Sequence, residues 1–377
     1  MSMLRLYTLL ALLHGYIAWR IVPDLLNFWP LALATSAWLA SSLVLMPLAA
    51  TARRSPRSPV VTWAGLLAAG AFSSLLVLTL LRDVVLLLGH ALPLVVAPPW
   101  SLASARALTA AVVPIAALTL TAIGLANARR RARVRHVDVA IQGLPAALHG
   151  FSIAQISDVH VGPTIRRGYL EAIVDAVNAL DVDMIAITGD LVDGSVRQLA
   201  PHTAPLARLA ARHGSFFVTG NHEYYSGAAA WIAEIGRLGV RVLLNEHVVL
   251  RHGGEHVVVA GVTDYGAHHF DPSQRSDPVR ALQGAPADAA FRLLLAHQPR
   301  SAFAAVEAGF DLQLSGHTHG GQFLPWNLFV RLQQPFVAGL HRLRSLRVYV
   351  SRGTGYWGPP KRLGAPSEIT RLRLVAA

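Results

Sequence analysis

Apolar residues are distributed unevenly along this chain, and their pattern divides it into two parts. Four runs near the amino end are almost free of charged residues, and each is about 20 residues long, enough for a helix to cross roughly 30 Å of hydrocarbon. The pattern predicts membrane-spanning helices over residues 4–22, 28–50, 60–81 and 107–126. A cleaved signal peptide would explain one such run and not four, so we interpret them as a multi-pass anchor.

Residues 84–99 form a shorter apolar run that three prolines interrupt. We predict a helical extension followed by an interfacial or re-entrant stretch, and a fifth span is the alternative. Arginine clusters within 51–59 and 128–135 should both remain in the cytoplasm, and an even number of crossings satisfies both. We therefore expect four crossings of a bacterial inner membrane, with the amino end and the carboxyl-terminal domain in the cytoplasm.

Beyond residue 136 the pattern changes to short strands that alternate with helices, which is typical of a layered α/β domain. The predicted strands cover 137–141, 151–156, 184–188, 215–219, 240–244, 256–262, 291–296 and 310–315, and the predicted helices cover 169–180, 197–212 and 228–238. Polar, ligand-type side chains follow most of these strands. Because ligands of open α/β sheets gather at the carboxyl ends of strands, we expect these side chains to converge.

The charge distribution follows the same division. Residues 1–127 hold only 2 of the 21 acidic residues, Asp24 and Asp83, whereas the whole chain has a net charge of +12. We predict a transmembrane domain over 1–127, a basic juxtamembrane linker with the first strand over 128–149, and a globular domain over 150–377. Such a positive chain suits an anionic partner, and beside a membrane segment anionic lipid or a phosphorylated substrate is favoured over nucleic acid.

The candidate chemistry lies in the residues that follow the strands. The stretch GHTHGG at 316–321 places two imidazoles two residues apart between glycines, a geometry in which both rings can reach one ion or two adjacent ions. The full set of ligand-type residues comprises Asp158, His160, Asp190, Asn221, His222, His297, His317 and His319. Carboxylate, amide and imidazole without sulfur suit Mn, Fe or Zn, and the set is too large for one tetrahedral ion. The chain has no cysteine, which excludes thiolate sites.

Five short motifs resemble the sequence blocks of the calcineurin-like metallophosphoesterases, in the family's order. They read DVH at 158–160, GD at 189–190, GNHE at 220–223, HQP at 297–299 and GHTHGGQ at 316–322. The tail, SRGTGYWGPP at 351–360 and LGAPSEIT at 363–370, is similar in particular to a bacterial membrane-attached branch. The resemblance covers about residues 150–370 and implies a metallophosphoesterase-type layered β-sandwich flanked by helices.

The resemblance also implies roles for individual residues. Asp158, His160 and His319 would hold a first divalent ion. Asn221, His297 and His317 would hold a second, and Asp190 would bridge the two. The ions would be manganese first, with iron or zinc as alternatives, and would activate water for attack on phosphorus. His222 would stand beside the substrate phosphate as general acid, and Asn221 would also donate to the phosphoryl oxygens.

The expected function is that of a membrane-anchored metal-dependent phosphoesterase that cleaves a phosphoester or pyrophosphate bond, with a lipid-linked substrate favoured. One alternative is a tethered enzyme that acts on soluble nucleotides. Another is a catalytically silent membrane sensor, against which the complete ligand set argues. Monoester, diester and pyrophosphate substrates stay open, as does the oligomeric state.

Three further features have two interpretations each. Asp193 either supports the site or is an exposed loop carboxylate, and Glu223 is expected to orient its neighbour His222 rather than to bind metal. The aromatic residues Trp326, Phe329, Tyr356 and Trp357 lie among arginines in the sequence. They form either a belt that rests on anionic headgroups or part of the core.

Overall fold

A computed structural model of the chain describes residues 3–50, 59–91 and 101–377. The chain forms two compact units. The first, helical unit comprises Met1–Ala126 with Gly358–Lys361, and the second comprises Asn127–Trp357 with Arg362–Ala377.

The helical unit contains the predicted apolar helices. They are α1 (Met3–Ile21), α2 (Trp29–Ala50), α3 (Pro59–Ala91) and α4 (Leu102–Arg129). In the described part of the chain, three segments are long and apolar enough to cross a membrane: Pro23–Ala49, Pro59–Ala91 and Ala103–Arg129. Helix α1 is not among them, so a fourth crossing stays a prediction. Residues 84–91 extend α3 as expected, and 92–99 lie outside the described residues, as do 51–58 with their arginines.

Both acidic residues of the helical unit are paired with arginines. Arg82, whose side chain is 1% exposed, forms an ion pair with Asp24, and Arg106 Nη2 lies 3.1 Å from the same carboxylate. Arg20 Nη2 lies 2.8 Å from Asp83 Oδ1. Since a buried charge needs a partner, this network allows five ionised side chains to be held in a largely apolar helical unit.

Two six-stranded sheets form the core of the second unit. In chain order the strands are β1 (Arg133–Ile141), β2 (Ser152–Ile156), β3 (Met184–Ile187), β4 (Ser215–Phe217), β5 (Arg241–Val242), β6 (Glu246–His252), β7 (Glu255–Gly261), β8 (Phe291–Leu295), β9 (Leu312–Ser315), β10 (Gly339–Leu343), β11 (Leu346–Val350) and β12 (Glu368–Ala376). The sheet orders are β1-β12-β2-β3-β4-β5 and β10-β11-β9-β8-β7-β6. All eight predicted strands are present, within a few residues at their ends.

The helices of this unit connect the strands. They are α5 (Arg167–Asn178), α6 (Val196–Thr203), α7 (Asn221–Ser226), α8 (Ala228–Arg237), α9 (Pro278–Ala281), α10 (Ala302–Ala308) and α11 (Asn327–Val330). Of these, α5, α8 and α10 pack against the outer faces of the sheets. The predicted helix over 197–212 is too long. It ends at Thr203, and a 3-10 turn over Ala204–Arg208 follows. Pro205 lacks the amide hydrogen that a continuing helix would need, which explains the early end.

Successive side chains of a strand point to opposite faces of its sheet. One face of each sheet packs against the other sheet, and the opposite face packs against helices. In β3, Met184 and Ala186 join the core between the sheets, whereas Ile185 and Ile187 pack among residues of α5 and α8. In β8, Leu294 faces the residues of α10. This is the layered α/β sandwich that the sequence predicts, and four-layer packing leaves the strand ends free to carry side chains.

The carboxyl-terminal strand has an unusual position. Strand β12 lies between β1, with which it is parallel, and β2, with which it is antiparallel. Strands β2 to β5 run parallel, as do β7, β8, β9 and β11. The loops after the parallel strands β2, β3, β4, β8 and β9 carry the candidate ligands.

Candidate metal centre

The loops after the strands hold most ligand-type residues in an uncommon backbone conformation. Non-glycine residues rarely adopt positive φ, and such strain clusters at functional sites. Five of the eight residues predicted for the site have φ between 51° and 69°: Asp158, His160, Asp190, His317 and His319. The surrounding fold must therefore hold these loops in place, which predicts a role for their side chains beyond packing.

Glycines in the motifs allow these loops to approach one another closely. A Cβ atom on Gly316 would lie 2.2 Å from Asp158 Oδ2, and one on Gly220 would lie 2.2 Å from Asp190 Oδ1. No larger residue fits at either position without displacing a carboxylate of the site.

A first group consists of Asp158, His160 and His319, which are all buried. The Nε2 atoms of His160 and His319 lie 3.0 Å apart, and His319 Nε2 lies 3.5 Å from Asp158 Oδ1. Two ring nitrogens that are each about 2.1 Å from one ion, at a right angle, would lie about 3 Å apart. The spacing fits a shared divalent ion.

A second group consists of Asp190, His297 and His317. His297 Nε2 lies 3.1 Å from Asp190 Oδ2 and 3.2 Å from His317 Nδ1. The other ring nitrogen of His297, Nδ1, lies 2.8 Å from the carbonyl oxygen of Thr188 and donates to it. That hydrogen bond directs the lone pair of Nε2 toward the group, as is usual for metal-binding histidines.

Asp190 lies between the two groups. Its Oδ2 atom is 3.1 Å from His297 Nε2 and 3.9 Å from His160 Nε2, one residue of each group. Among the described residues, the buried Oδ1 atom of Asn221 has no hydrogen-bond partner. An unsatisfied buried oxygen is costly, and its presence beside these groups fits a ligand atom that a cation would satisfy.

Charges within the site support the same interpretation. Burial lowers the pKa of His317 to about 3, so its ring is neutral and available as a ligand. Burial also tends to lower the pKa of His297, but the carboxylates of Asp190 and Asp158 outweigh it and raise that pKa well above its usual value. The carboxylates of Asp190 and Asp158 thus stabilise positive charge near His297, and a divalent ion would supply that charge.

His222 lies beside both groups and forms a pair with Asp193. The His222 Nδ1 atom donates to Asp193 Oδ1 at 2.5 Å, and His222 Nε2 lies 3.9 Å from Asp190 Oδ2. Burial tends to raise the pKa of Asp193, but His160 and His222 hold it well below its usual value. Asp193 is 9% exposed at its side chain, so the interpretation as an exposed loop carboxylate is wrong.

Glu223 serves the backbone rather than its histidine neighbour. Its carboxylate accepts hydrogen bonds from the amides of Gly220, Asp190, Leu191 and Val192, the first at 2.6 Å and the last at 3.3 Å. The expectation that Glu223 orients His222 is therefore wrong. The carboxylate instead fixes the loop that carries Asp190.

Arg362 is a residue of the site that the sequence did not identify. Its guanidinium is buried and donates to the carbonyl oxygens of Arg352 and His319, and Nη2 lies 3.1 Å from His319 Nδ1. It therefore holds the loop of the second imidazole of GHTH. In the sequence Arg362 is one of several basic residues near the carboxyl end, and nothing distinguishes it there from an exposed arginine.

Aromatic side chains form the rim beside His222. The rings of Tyr225 and Trp357 lie 5.3 Å and 5.8 Å from the His222 ring, and Phe270 lies 5.6 Å from Tyr225. All three are about half exposed. A substrate that reaches His222 therefore meets an apolar rim.

Comparisons with known proteins find similar sequences in several organisms. The family described as Calcineurin-like phosphoesterase matches residues 151–321. A Bos taurus protein, "Transmembrane protein with metallophosphoesterase domain", is 40% identical over 283 residues, which are 72% of this chain and 63% of the relative. A Helicobacter pylori metallophosphoesterase is 40% identical over 59% of each chain. One from Aquifex aeolicus is 32% identical over 63% of this chain and 89% of the relative.

These relatives come from animals as well as bacteria, so the similarity extends beyond the bacterial branch that the tail resembles. The chain spans less than two thirds of the length of the Bos taurus relative.

Proposed function

Because the chain belongs to the calcineurin-like phosphoesterase family, we propose that it is a membrane-anchored hydrolase with two divalent ions. The bond it cleaves is a phosphoester or a pyrophosphate. The observation that carries the proposal is the position of Asp190, whose Oδ2 atom lies within 3.9 Å of a ring nitrogen from each of two ligand groups.

The residues divide between the ions as the family's motifs imply. Asp158, His160 and His319 would hold one ion, Asn221, His297 and His317 would hold the other, and Asp190 would serve both. The oxygen and nitrogen donors favour manganese, with iron or zinc as alternatives. When bound, a pair of divalent ions supplies a water-derived nucleophile near neutral pH and neutralises charge on the phosphoryl group.

His222 has the position of a general acid. The ionised Asp193 carboxylate accepts the Nδ1 proton, which leaves Nε2 toward the ligand groups. A proton carried on Nε2 can pass to the oxygen of the leaving alcohol, and the nearby carboxylate stabilises the charged ring before transfer. The aromatic rim then accommodates the leaving group.

A lipid-linked substrate suits the chain best. Three described segments are apolar and long enough to hold the protein in a bilayer, and the rim residues Tyr225, Phe270 and Trp357 offer apolar contact beside His222. The candidates are an acylated UDP-sugar cleaved at its pyrophosphate, a polyprenyl phosphate and a phospholipid headgroup. All share a phosphate group next to a hydrocarbon chain.

The second unit faces the cytoplasm in this proposal, in a bacterial inner membrane. Five arginines lie between residues 129 and 135, directly after the last apolar helix, and such clusters are retained on the cytoplasmic side. Reporter enzymes fused after Arg135 test this, because a reporter active only in the periplasm should stay silent. Periplasmic reporter activity at that position would contradict the orientation.

The activity itself is tested with the full chain, purified in detergent and loaded with manganese. Lipid phosphates, acylated UDP-sugars and nucleotides are screened for release of phosphate or nucleotide, beside an Asp158→Asn variant as the metal-site control. We expect turnover of a lipid-linked substrate that the variant lacks. Full-rate turnover of nucleotides would instead favour a tethered enzyme of soluble substrates, and no turnover in any class would favour a silent sensor.

A further inference from the structure

A short segment directly after the paired histidines exposes an unusual amount of apolar surface. Helix α11 and its flanks carry five large apolar side chains that are 40–81% exposed: Leu324, Trp326, Leu328, Phe329 and Leu332. Exposed apolar residues scattered singly are ordinary, whereas a contiguous group marks an interaction surface. We call these five residues the α11 patch.

The α11 patch is held firmly in the fold. Phe323, which precedes it in the sequence, is buried, its carbonyl oxygen accepts from the amide of Trp326 at 3.1 Å, and the amide of Leu324 donates to the carbonyl oxygen of Leu363 at 3.1 Å. The side chain of Gln322 donates to the carbonyl oxygen of Trp357 and accepts from its amide, both at 2.8 Å. Exposure of the patch is therefore a property of an ordered surface.

The charge around the patch has one sign. The sequence from residue 312 to residue 367 contains no aspartate or glutamate, but it contains six arginines and one lysine. Among these, Arg331, Arg342 and Arg344 are exposed. A surface of this composition attracts anions.

A cleft of about 430 Å³ adjoins the patch. Its wall includes Leu332 from the patch, the two arginines Arg300 and Arg331, and the exposed ring of Phe303. The Arg300 guanidinium lies 5.1 Å from the centroid of the Tyr265 ring and donates to the carbonyl oxygen of Gln333, which fixes its position. Within the described part of the chain, neither Arg300 nor Arg331 has an ion pair with a carboxylate.

We propose that the α11 patch and this cleft together bind an anionic phospholipid bilayer surface. The patch enters the boundary between headgroups and acyl chains, and Arg300 and Arg331 receive an anionic headgroup in the cleft. Tryptophan, phenylalanine and leucine beside arginine are the composition of segments that lie at such an interface. The inference concerns a surface outside the metal centre, and it holds whichever phosphoester the enzyme cleaves.

The absence of cysteine from the sequence permits a clean test on the full chain. Leu328→Cys is labelled with an environment-sensitive fluorophore and reconstituted at one chain per lipid nanodisc, so that no second copy can cover the patch. Lipids with a quencher on the acyl chain should reduce its fluorescence. A label at Ala229→Cys, exposed on α8, serves as the matched control and should not be quenched.

The arginines are tested in the same discs by comparing phosphatidylcholine alone with its mixture with phosphatidylglycerol. The anionic lipid should increase quenching at position 328, and Arg300→Gln and Arg331→Gln should each reduce the ratio of docked to undocked chains about five-fold. Equal quenching at 328 and 229, or none at 328, would overturn the proposal. A second copy of the chain is the other possible occupant of the patch. Disulfide-linked dimers through position 328 outside the single-chain discs, together with no quenching inside them, would show that the patch binds a second copy and would also overturn the proposal.

Discussion

The Nδ1 atom of His222 lies 2.5 Å from the Oδ1 atom of Asp193, and both side chains are less than 10% exposed. Such a pair holds the imidazole in one orientation and stabilises its charged form. Asp193→Asn would keep an oxygen acceptor but remove the charge. We expect the rate on alkyl phosphates to fall about 10²-fold, and the high-pH limb of the profile to move to lower pH. Rates measured from acid to alkaline pH check this.

A matched control for Asp193→Asn is Asp175→Asn, since Asp175 is exposed on α5 and, among the described residues, forms an ion pair only with Arg208. It should leave the pH profile unchanged. An unshifted profile in Asp193→Asn would contradict the role of the carboxylate in holding the proton on His222.

His222→Ala should separate proton donation from metal binding. The variant should retain its metal, as His222 belongs to neither the Asp158 group nor the Asp190–His297–His317 group. It should lose about 10²- to 10⁴-fold in rate on alkyl phosphates, whose leaving alkoxide needs a proton. Nitrophenyl esters need no such help and should be affected far less. Elemental analysis measures the bound metal, and rates are measured on both kinds of ester. Equal losses of rate on both would count against His222 as the general acid.

Asp190→Asn should reduce metal content. The amide replaces a charged oxygen that lies near nitrogens of both ligand groups. The variant should therefore bind one metal ion per chain or none, instead of two. Asp288→Asn, at an 81%-exposed side chain, is the control and should bind as the unaltered protein does. Mass-spectrometric metal counting is the measurement. Full metal content in Asp190→Asn would exclude the shared role.

Glu223→Gln should loosen the Asp190 loop. The carboxylate accepts from four backbone amides, and a glutamine would place an NH2 group against two of those donors. Burial and the nearby Asp190 carboxylate raise the pKa of Glu223 to about 8, so the comparison is made above that pH, where the side chain is ionised. Hydrogen bonds to charged groups contribute about 1.5–3 kcal/mol each, so a loss of about 3 kcal/mol in metal-free stability is expected there. Thermal melts of the metal-free protein measure this loss, and Glu171→Gln on α5 is the control. Equal melting temperatures for the two variants would refute the prediction.

Arg82→Met should destabilise the helical unit. Arg82 is 1% exposed and pairs with Asp24, and its loss removes one of the two arginines beside that carboxylate. Breaking a buried pair costs about 3–5 kcal/mol. Arg106→Met removes a half-exposed partner of the same carboxylate and should cost about 1 kcal/mol or less. Melting curves in detergent distinguish the two, and equal shifts would contradict the assignment of Arg82 as the buried partner.

Much of the fold follows from the alternation of apolar residues. Strands such as Met184–Ile187 are short and apolar throughout, and each ends before a polar residue, so their pattern and their end are visible in the sequence. Strand β12 was not predicted, although Leu372 and Leu374 alternate with Arg371 and Arg373 as in a strand with one exposed face. Its place between β1 and β2 depends on pairing across more than 200 residues, which no local pattern records.

The metal-ligand residues of the site can be predicted from short sequence motifs. The side chains that hold the backbone of the site loops cannot. The carboxylates and imidazoles of the two groups stand in short motifs beside glycines. The roles of Glu223 and Arg362 are to hold amides and carbonyl oxygens of distant loops. Glu223 stands in the motif GNHE, but the sequence does not show which loop its carboxylate holds, and Arg362 does not differ in sequence from an ordinary surface charge. Tyr356 illustrates the same limit, since it is 1% exposed and belongs to the core while its neighbour Trp357 lies at the rim.

The position of β12 has a consequence for biosynthesis. The strand that separates β1 from β2 comprises residues 368–376 and follows both of its neighbours by more than 200 residues, so the first sheet cannot close until that strand has been synthesised. By then the apolar helices that precede it have already left the ribosome. The first sheet therefore stays incomplete while the strands of the second sheet are synthesised, and a nascent chain that stalls before residue 368 should be open to proteases.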